Sequence, residues 1–160
     1  MKVLIVPYVY KHKHITDLHL KLDDDIFDDV AHRRLHVMSR IRDGDEKTYY
    51  FSLRVDGKQV GLHRYTLDAR PGQIVDHKSR DTLDCQRSNL RAATMVQNSY
   101  NRVCKDIKNQ AILEAKSGFS VCLSKQGVIY TARYFATKAE AVNARRTLGR
   151  ALFGEFSPYE

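Results

Sequence analysis

Four polar residues in the middle of the chain have the chemistry that phosphodiester hydrolysis requires. Asp76 and His77 are adjacent, and Asn89 and Asn98 follow them. Such hydrolysis needs a base that activates water, a cation that stabilises developing charge, and groups that hold both in place. A carboxylate and an amide carbonyl suit a hard divalent cation, and histidine suits the role of base. The Asp76 carboxylate and the Asn98 side-chain carbonyl can therefore supply metal ligands, and His77, on the opposite side of a strand from Asp76, can serve as base.

The sequence around these residues forms a longer pattern, from Val75 to Arg102. Each residue taken alone has a plainer explanation, because Asp-His pairs are mostly structural, Asn89 could be a cap and Asn98 a surface amide. The pattern adds a loop with Asp84 and Arg87, followed by Ser88-Asn89-Leu90-Arg91, Gln97-Asn98 and Asn101-Arg102. In this respect the chain resembles the HNH homing endonucleases of phages and introns.

The resemblance implies a metal-dependent DNA endonuclease that nicks or breaks both strands at a recognised site. The implied fold is the ββα-metal fold, in which two strands and a helix grip one divalent ion. In that fold Asp76 and Asn98 are metal ligands and His77 is the general base. Asn89 orients the histidine and braces the loop. Because Asn98 replaces the last histidine of the family name, the protein ligands are oxygens, which favours Mg²⁺ or Mn²⁺ over zinc.

The match covers residues 20 to 105 and departs from the family in the loop. Cys85-Gln86 stand where the family often has Asn-Arg, which leaves the hydrogen bonds of the loop in question. The metal-binding cysteines of zinc-braced relatives are absent. Upstream, the run Gly61-Leu62-His63-Arg64 resembles the segment that precedes the active site. His63 and Arg64 could contact phosphate near the scissile bond, or could be a strand histidine and an exposed arginine.

The C-terminal region has a second pattern. Three short strand candidates predict an antiparallel sheet over residues 111–115, 119–123 and 128–134. Thr137 and Glu140 have the spacing of a capping box, which predicts a last helix from Thr137 to near Gly154. With Phe135 before the helix and Phe153-Gly154-Glu155-Phe156 at its end, this region resembles the small Apetala-type DNA-binding domain. The resemblance implies a sheet that lies in the major groove.

The distribution of charge favours a polyanionic partner. The formal net charge is +8, and residues 1–77 hold 13 Lys and Arg against 12 Asp and Glu, whereas residues 78–160 hold 14 against 7. A basic surface gains affinity for DNA by releasing counterions, although excess charge could also serve solubility alone. Because side chains alternate along a strand, Arg133 should lie on the face of its strand opposite to the face that carries Tyr130 and Tyr134, unless a bulge intervenes. The candidate DNA contacts are His63, Arg64, Arg87, Arg91, Arg102, Lys116, Lys125 and Arg133.

The predicted elements on both sides of Asp76 must position the residues of the motif. The segment from Leu22 to Val37 predicts a short helix with a solvated cluster of aspartates at its start and basic residues at its end. Residues 49–65 predict a hairpin that turns at Asp56-Gly57, with His63 on its return strand. Residues 92–108 predict a helix that contains Asn98, with Tyr100 packed in the ββα core.

Length and composition exclude several classes of protein. A chain of 160 residues forms one or two small cores, and no apolar run is long enough to span a bilayer. Residues 1–10 predict a strand rather than a signal peptide. Cys85, Cys104 and Cys122 suggest neither a zinc knuckle nor a disulfide framework. We expect a monomer that acts on double-stranded DNA, without a membrane partner, in the cytoplasm of a bacterial host and encoded by a phage.

These expectations combine into an α+β protein with two domains. Residues 1–108 are the predicted HNH nuclease domain, with a β-rich part over 1–70 and the ββα-metal core over 71–108. Residues 109–160 are the predicted Apetala-type domain, a small three-stranded sheet followed by a helix. Two alternatives stay open, a catalytically inactive DNA-binding regulator and a nonspecific nuclease.

Overall fold

The structure, a computed structural model, describes residues 1–41, 47–101 and 111–159. Within these ranges the chain is mixed α and β, as predicted, with ten strands in small sheets and four α-helices. The chain divides into two compact units, Met1–Met95 and Val96–Glu160. No helix in the described part of the chain is long and apolar enough to cross a membrane.

The first unit consists of three antiparallel sheets and two short helices. Strands β1 and β2 form a hairpin, β3, β4 and β5 form a sheet in that order, and β6 pairs with β7. The elements are β1 Lys2–Tyr10, β2 Lys13–Leu22, α1 Asp24–Val30, β3 His36–Ile41, β4 Lys47–Val55, β5 Lys58–Gly61, α2 Leu62–Thr66, β6 Ile74–His77 and β7 Leu90–Ala93.

The core of this unit lies against one face of the β3–β4–β5 sheet. Phe51 and Leu53 of β4 are buried and pack with apolar side chains of the other elements, namely Leu18, Leu20, Leu22, Ile26, Val30, Leu62 and Cys85. Because successive side chains of a strand alternate between faces, Tyr50, Ser52 and Arg54 lie on the other face. We call this second face the outer face of the sheet.

Two of the predicted elements in this unit have different ends in the structure. Helix α1 ends at Val30, before the basic residues, so the predicted helix to Val37 was too long and β3 begins at His36. The hairpin turn at Asp56-Gly57 is confirmed, and both residues have the positive φ that such a turn requires. However, β5 ends at Gly61, so His63 lies on helix α2 and not on a strand.

The second unit matches the predicted C-terminal pattern. It contains α3 Met95–Tyr100, β8 Ile112–Ala115, β9 Gly118–Lys125, β10 Val128–Phe135, α4 Lys138–Phe153 and a 3₁₀ turn Gly154–Phe156. The three strands are antiparallel in the order β10, β9, β8. The capping box is formed, because Thr137 Oγ1 accepts from the Glu140 amide and the Glu140 carboxylate accepts from the Thr137 amide.

The helix predicted over residues 92–108 is only partly described. Residues 90–93 are strand β7, so the helix begins at Met95, and residues 102–110 lie outside the described residues. The Tyr100 ring packs on Phe153, with ring centroids 4.9 Å apart. Tyr100 therefore belongs to the core of the second unit rather than to a ββα core. The predicted domain boundary near residue 108 falls among the undescribed residues and stays a proposal.

Candidate active site

The candidate site of the first unit lies on the two-stranded antiparallel sheet of β6 and β7, which we call the β6–β7 ribbon. Asp76 pairs across the ribbon with Arg91, and His77 pairs with Leu90. His77 is the last residue of β6, and the chain returns to β7 through the loop of residues 78–89. Asp76, His77, Asn89 and Arg91 are each less than a tenth exposed. Since buried polar groups require partners, the contacts of these four side chains determine the arrangement of the site.

Asp76 forms an ion pair with its cross-strand neighbour. Arg91 Nε donates to Asp76 Oδ2 at 2.9 Å, and a terminal guanidinium nitrogen of Arg91 lies 2.8 Å from the same oxygen. Charge-assisted hydrogen bonds of this kind fix the direction of a carboxylate. A carboxylate has two oxygens and about four lone-pair sites, so this pair uses part of its capacity as an acceptor.

Asn89 braces the loop that follows His77. Its side-chain oxygen accepts from the Ser79 amide at 2.9 Å, and its side-chain nitrogen donates to the Asp84 carbonyl at 2.8 Å. Its backbone carbonyl accepts from the Lys78 amide at 2.7 Å. One side chain therefore ties the beginning of the loop to its middle. This is the geometry expected of a residue that braces the loop, and it holds the backbone directly after His77.

His77 lies among three other side chains. Its Nε2 is 3.9 Å from the Cys85 thiol, and its ring centroid is 5.3 Å from that of His63 and 6.5 Å from that of Tyr50. Burial raises the pKa of Cys85 to about 12, so the thiol stays protonated at neutral pH and is a poor nucleophile. Cys85 therefore serves as a small packing residue against the histidine.

His63 approaches His77 because Gly61 leaves room for its ring. A Cβ atom at position 61 would lie 2.8 Å from His63 Cε1. Burial, followed by the nearby His77 and Arg64, lowers the pKa of His63 to about 4. The imidazole is therefore neutral at physiological pH, and it can donate or accept a hydrogen bond without carrying charge.

Three of the arginines predicted to contact DNA have partners within this unit. Arg91 holds Asp76, as described, and Arg64 donates to the backbone carbonyls of Arg70 and Gln73. Arg87 pairs with Asp25 at 2.7 Å and also contacts Asp23. Hydrogen bonding to Arg87 lowers the pKa of Asp25 to about 2. These contacts brace the turn before β6 and connect the loop to the start of α1.

The residues of the second unit that were predicted to contact DNA or metal do not form one cluster among the described residues. Lys125 donates to the carbonyl of Leu152, near the end of α4, and lies over the Phe153 ring. Arg133 is exposed within an irregular stretch of β10, where the register shifts between Ala132 and Phe135, and Lys116 is exposed in a turn. Asn98 is half-buried on α3. Arg102 lies outside the described residues.

The donor chemistry of Asp76 fits a hard divalent cation. A carboxylate whose orientation is fixed by a neighbouring hydrogen bond is a usual ligand for Mg²⁺ or Mn²⁺. In the described part of the chain, no group of three or more His, Cys, Asp or Glu side chains is arranged to hold a metal ion. Asp76 supplies one such oxygen donor, and the assignment of Asn98 as a second ligand stays a prediction.

Neither the contact of Tyr50 with His77 nor the ion-pair partner of Asp76 was predicted from the sequence. The Asp76–Arg91 pair follows from ribbon register, which could have been found by pairing β6 with β7 across the loop. Tyr50 contacts His77 and His63 from a different sheet. No local signal in the sequence identifies such a contact.

Removal of the Arg91 guanidinium is expected to destabilise the protein. Arg91→Met leaves the buried Asp76 carboxylate without its ion-pair partner, and such changes cost about 3 kcal/mol or more. The measurement is urea denaturation followed by circular dichroism. Arg87→Met is the matched control, since it breaks an exposed pair and should cost much less.

Asp76→Asn combined with Arg91→Met is expected to recover part of the lost stability, because neither partner then carries charge. If Arg91→Met unfolds at the same urea concentration as the wild-type protein, the ion pair does not hold the ribbon.

Comparison with known proteins identifies one distant similarity. The chain is 29% identical over 113 residues to a protein of Acanthamoeba polyphaga mimivirus named as an uncharacterized HNH endonuclease. The match covers 67% of this chain and 60% of the viral protein, so the chain spans less than two thirds of that relative. No protein-family model matches the chain, and no solved structure gives a significant match. The similarity supports the resemblance to HNH nucleases and brings no support for the Apetala-type resemblance.

Proposed function

We propose that the chain is a metal-dependent DNA endonuclease of the HNH homing type. The observation that supports this most is the buried arrangement of Asp76, His77 and Asn89, with the loop after His77 tied by the Asn89 side chain. The distant relative named as an HNH endonuclease adds independent support. The proposed substrate is double-stranded DNA, and the proposed reaction is hydrolysis of a phosphodiester bond.

In this proposal His77 is the general base. A base must lie within hydrogen-bond reach of the water that it activates, and a fixed ring makes that contact reproducible. The Asn89 brace and the packing of Cys85 and His63 restrict the His77 backbone and ring. His63 is neutral at physiological pH and therefore adds no positive charge beside His77.

Asp76 is the proposed metal ligand, with Asn98 as the second. When bound, a divalent ion would stabilise the charge that develops on the phosphate and on the leaving oxygen. Arg91 would fix the orientation of the Asp76 carboxylate, as partners of metal-binding carboxylates commonly do. The roles of Asn98 and of Mg²⁺ or Mn²⁺ rest on the resemblance and on donor chemistry.

DNA contacts outside the active site are proposed for the second unit. Its three-stranded sheet followed by a capped helix has the element order of the Apetala-type domain, and Arg133 is exposed on β10. A reading face there would give the nuclease its preference for a recognised site. We further propose that the protein acts as a monomer, is phage-encoded, and works in the bacterial cytoplasm.

Substitution of His77 tests the proposed activity. His77→Ala is expected to slow cleavage of plasmid DNA in Mg²⁺ by about 100- to 10,000-fold while DNA affinity stays nearly unchanged, because the histidine acts on water rather than on phosphate charge. Cleavage is measured by gel electrophoresis and affinity by fluorescence anisotropy. His19→Ala, a change of an exposed histidine on β2, is the control and should cleave like the wild-type protein.

Two outcomes contradict this assignment. Wild-type turnover by His77→Ala would remove His77 from the chemistry. DNA binding without cleavage by the wild-type protein, in Mg²⁺ and in Mn²⁺, would instead favour an inactive DNA-binding regulator.

Arg133→Ala tests whether the second unit reads DNA. If Arg133 contacts a guanine edge, the substitution should weaken cognate binding by about 1 to 3 kcal/mol and relax preference at one base pair. If Arg133 contacts only phosphate, binding should weaken evenly across sequences and the salt slope should fall by about one. Affinity measured against salt on cognate and scrambled duplexes separates these results. Unchanged affinity and slope would exclude Arg133 from the interface.

A further inference from the structure

The outer face of the β3–β4–β5 sheet carries a basic groove. The groove has a volume of about 490 Å³ and is lined by Arg33, Arg34, His36, Arg54 and Gln59. Arg54 is cross-strand from Gln59, and His36 is cross-strand from Ser52, so strand pairing brings these residues to one face. No carboxylate within residues 1–41, 47–101 and 111–159 lines the groove. This clustering of positive charge is unfavourable without a bound anion or surrounding water.

Two of the arginines in the groove have their charge available. Among the residues that the structure describes, neither Arg34 nor Arg54 forms an ion pair or a side-chain hydrogen bond, and both side chains are exposed. Arg33 differs, because it pairs with Asp29 at 2.6 Å. Arg34 and Arg54 therefore supply most of the free positive charge of the groove.

The groove and Tyr50, which contacts the proposed catalytic histidine His77, lie on the same face of the sheet. Tyr50 shares the outer face with Arg54, and its ring contacts His63 and His77. Four residues along a strand correspond to about 13 Å, which separates Tyr50 from Arg54. Arg40 lies over the Tyr50 ring at 5.7 Å and adds a further positive charge near the site.

We propose that this groove binds the phosphodiester backbone of the DNA whose cleavage takes place at His77. The proposal rests on the proposed function and deepens it, by assigning a backbone-binding subsite to Arg34 and Arg54. Arginine suits such a subsite because its planar guanidinium donates two parallel hydrogen bonds to phosphate oxygens. One phosphate recurs about every 3.4 Å of helix axis on each strand, so a duplex that reaches His77 also presents phosphates about 13 Å away.

The test measures how DNA affinity depends on salt in full-length protein. The probe is a fluorescein-labelled 40-base-pair duplex of mixed sequence, and the parent protein carries His77→Ala and is kept free of added divalent metal. Arg34→Ala and Arg54→Ala should each lower the slope of log Kd against log KCl by about 0.9 and raise Kd about 5-fold at 0.15 M salt. Circular dichroism verifies that each variant is folded.

Two control variants separate a phosphate contact from a general effect of charge or packing. Lys58→Ala removes one positive charge from the same hairpin, but Lys58 is cross-strand from Val55 and so lies on the opposite face. Its slope should match that of the parent. Arg54→Lys keeps the charge and should recover most of the slope, whereas a merely structural role for the guanidinium would leave it unrecovered.

A second arm distinguishes DNA backbone from a small anion. Inorganic phosphate at 10 mM, added at constant ionic strength, should displace little of the bound duplex, because a single phosphate makes only one of the many contacts of DNA. Efficient displacement that is lost in Arg54→Ala would identify a small-anion site and overturn the proposal.

The failure of this subsite is distinguishable from the failure of the proposed nuclease. If the parent binds the duplex and the slopes of Arg34→Ala and Arg54→Ala equal that of Lys58→Ala, the groove does not contact DNA, although the nuclease proposal stands. If the parent binds no DNA and the wild-type protein cleaves none in Mg²⁺, both proposals are overturned.

Discussion

The Asn89 side chain makes the hydrogen bonds on which the candidate active site depends. It joins the Ser79 amide to the Asp84 carbonyl across a loop that has no regular strand or helix of its own. Without these bonds, polar backbone groups close to His77 would lose their partners, and a buried unpaired group costs about 1 to 3 kcal/mol. The loop is fixed at further points, since Lys21 pairs with Asp81 at 3.0 Å and Arg87 pairs with Asp25. Contacts with strand β2 and helix α1 thus fix the position of the loop, and the loop in turn fixes the position of His77.

The side chains of Asp76 and His77 lie on opposite faces of the β6–β7 ribbon, and their electrostatic surroundings differ. Asp76 and Arg91 form a buried ion pair, while His77 meets the neutral His63 ring, the protonated Cys85 thiol and Tyr50. An aspartate that is already oriented loses little conformational entropy when it binds a cation. The proposed ligand and the proposed base are therefore adjacent in sequence but lie in different environments.

Local sequence signals predicted the parts of the fold that local interactions determine. The turn at Asp56-Gly57 and the capping box of Thr137 and Glu140 follow from conformational preference and short-range hydrogen bonds, and both are present. The end of α1 and the helical position of His63 were missed, because neighbouring sheets decide where these short elements stop. Tyr100 was assigned to the wrong core, since an aromatic side chain packs wherever tertiary structure offers it a surface. In the site, residue types indicated Asp76, His77 and Asn89, whereas the Arg91 ion pair and the contact of Tyr50 required cross-strand and inter-sheet geometry.

The role of Asp76 as a metal ligand is tested most directly by the dependence of DNA cleavage on Mg²⁺ concentration. Asp76→Asn keeps the size of the side chain but removes the charge that attracts a divalent cation. Its half-saturating Mg²⁺ concentration should rise by about 10-fold or more, while Asp17→Asn, an exposed change on β2, should leave that concentration unchanged. A half-saturating concentration in Asp76→Asn equal to that of the wild-type protein would show that Asp76 does not hold the ion.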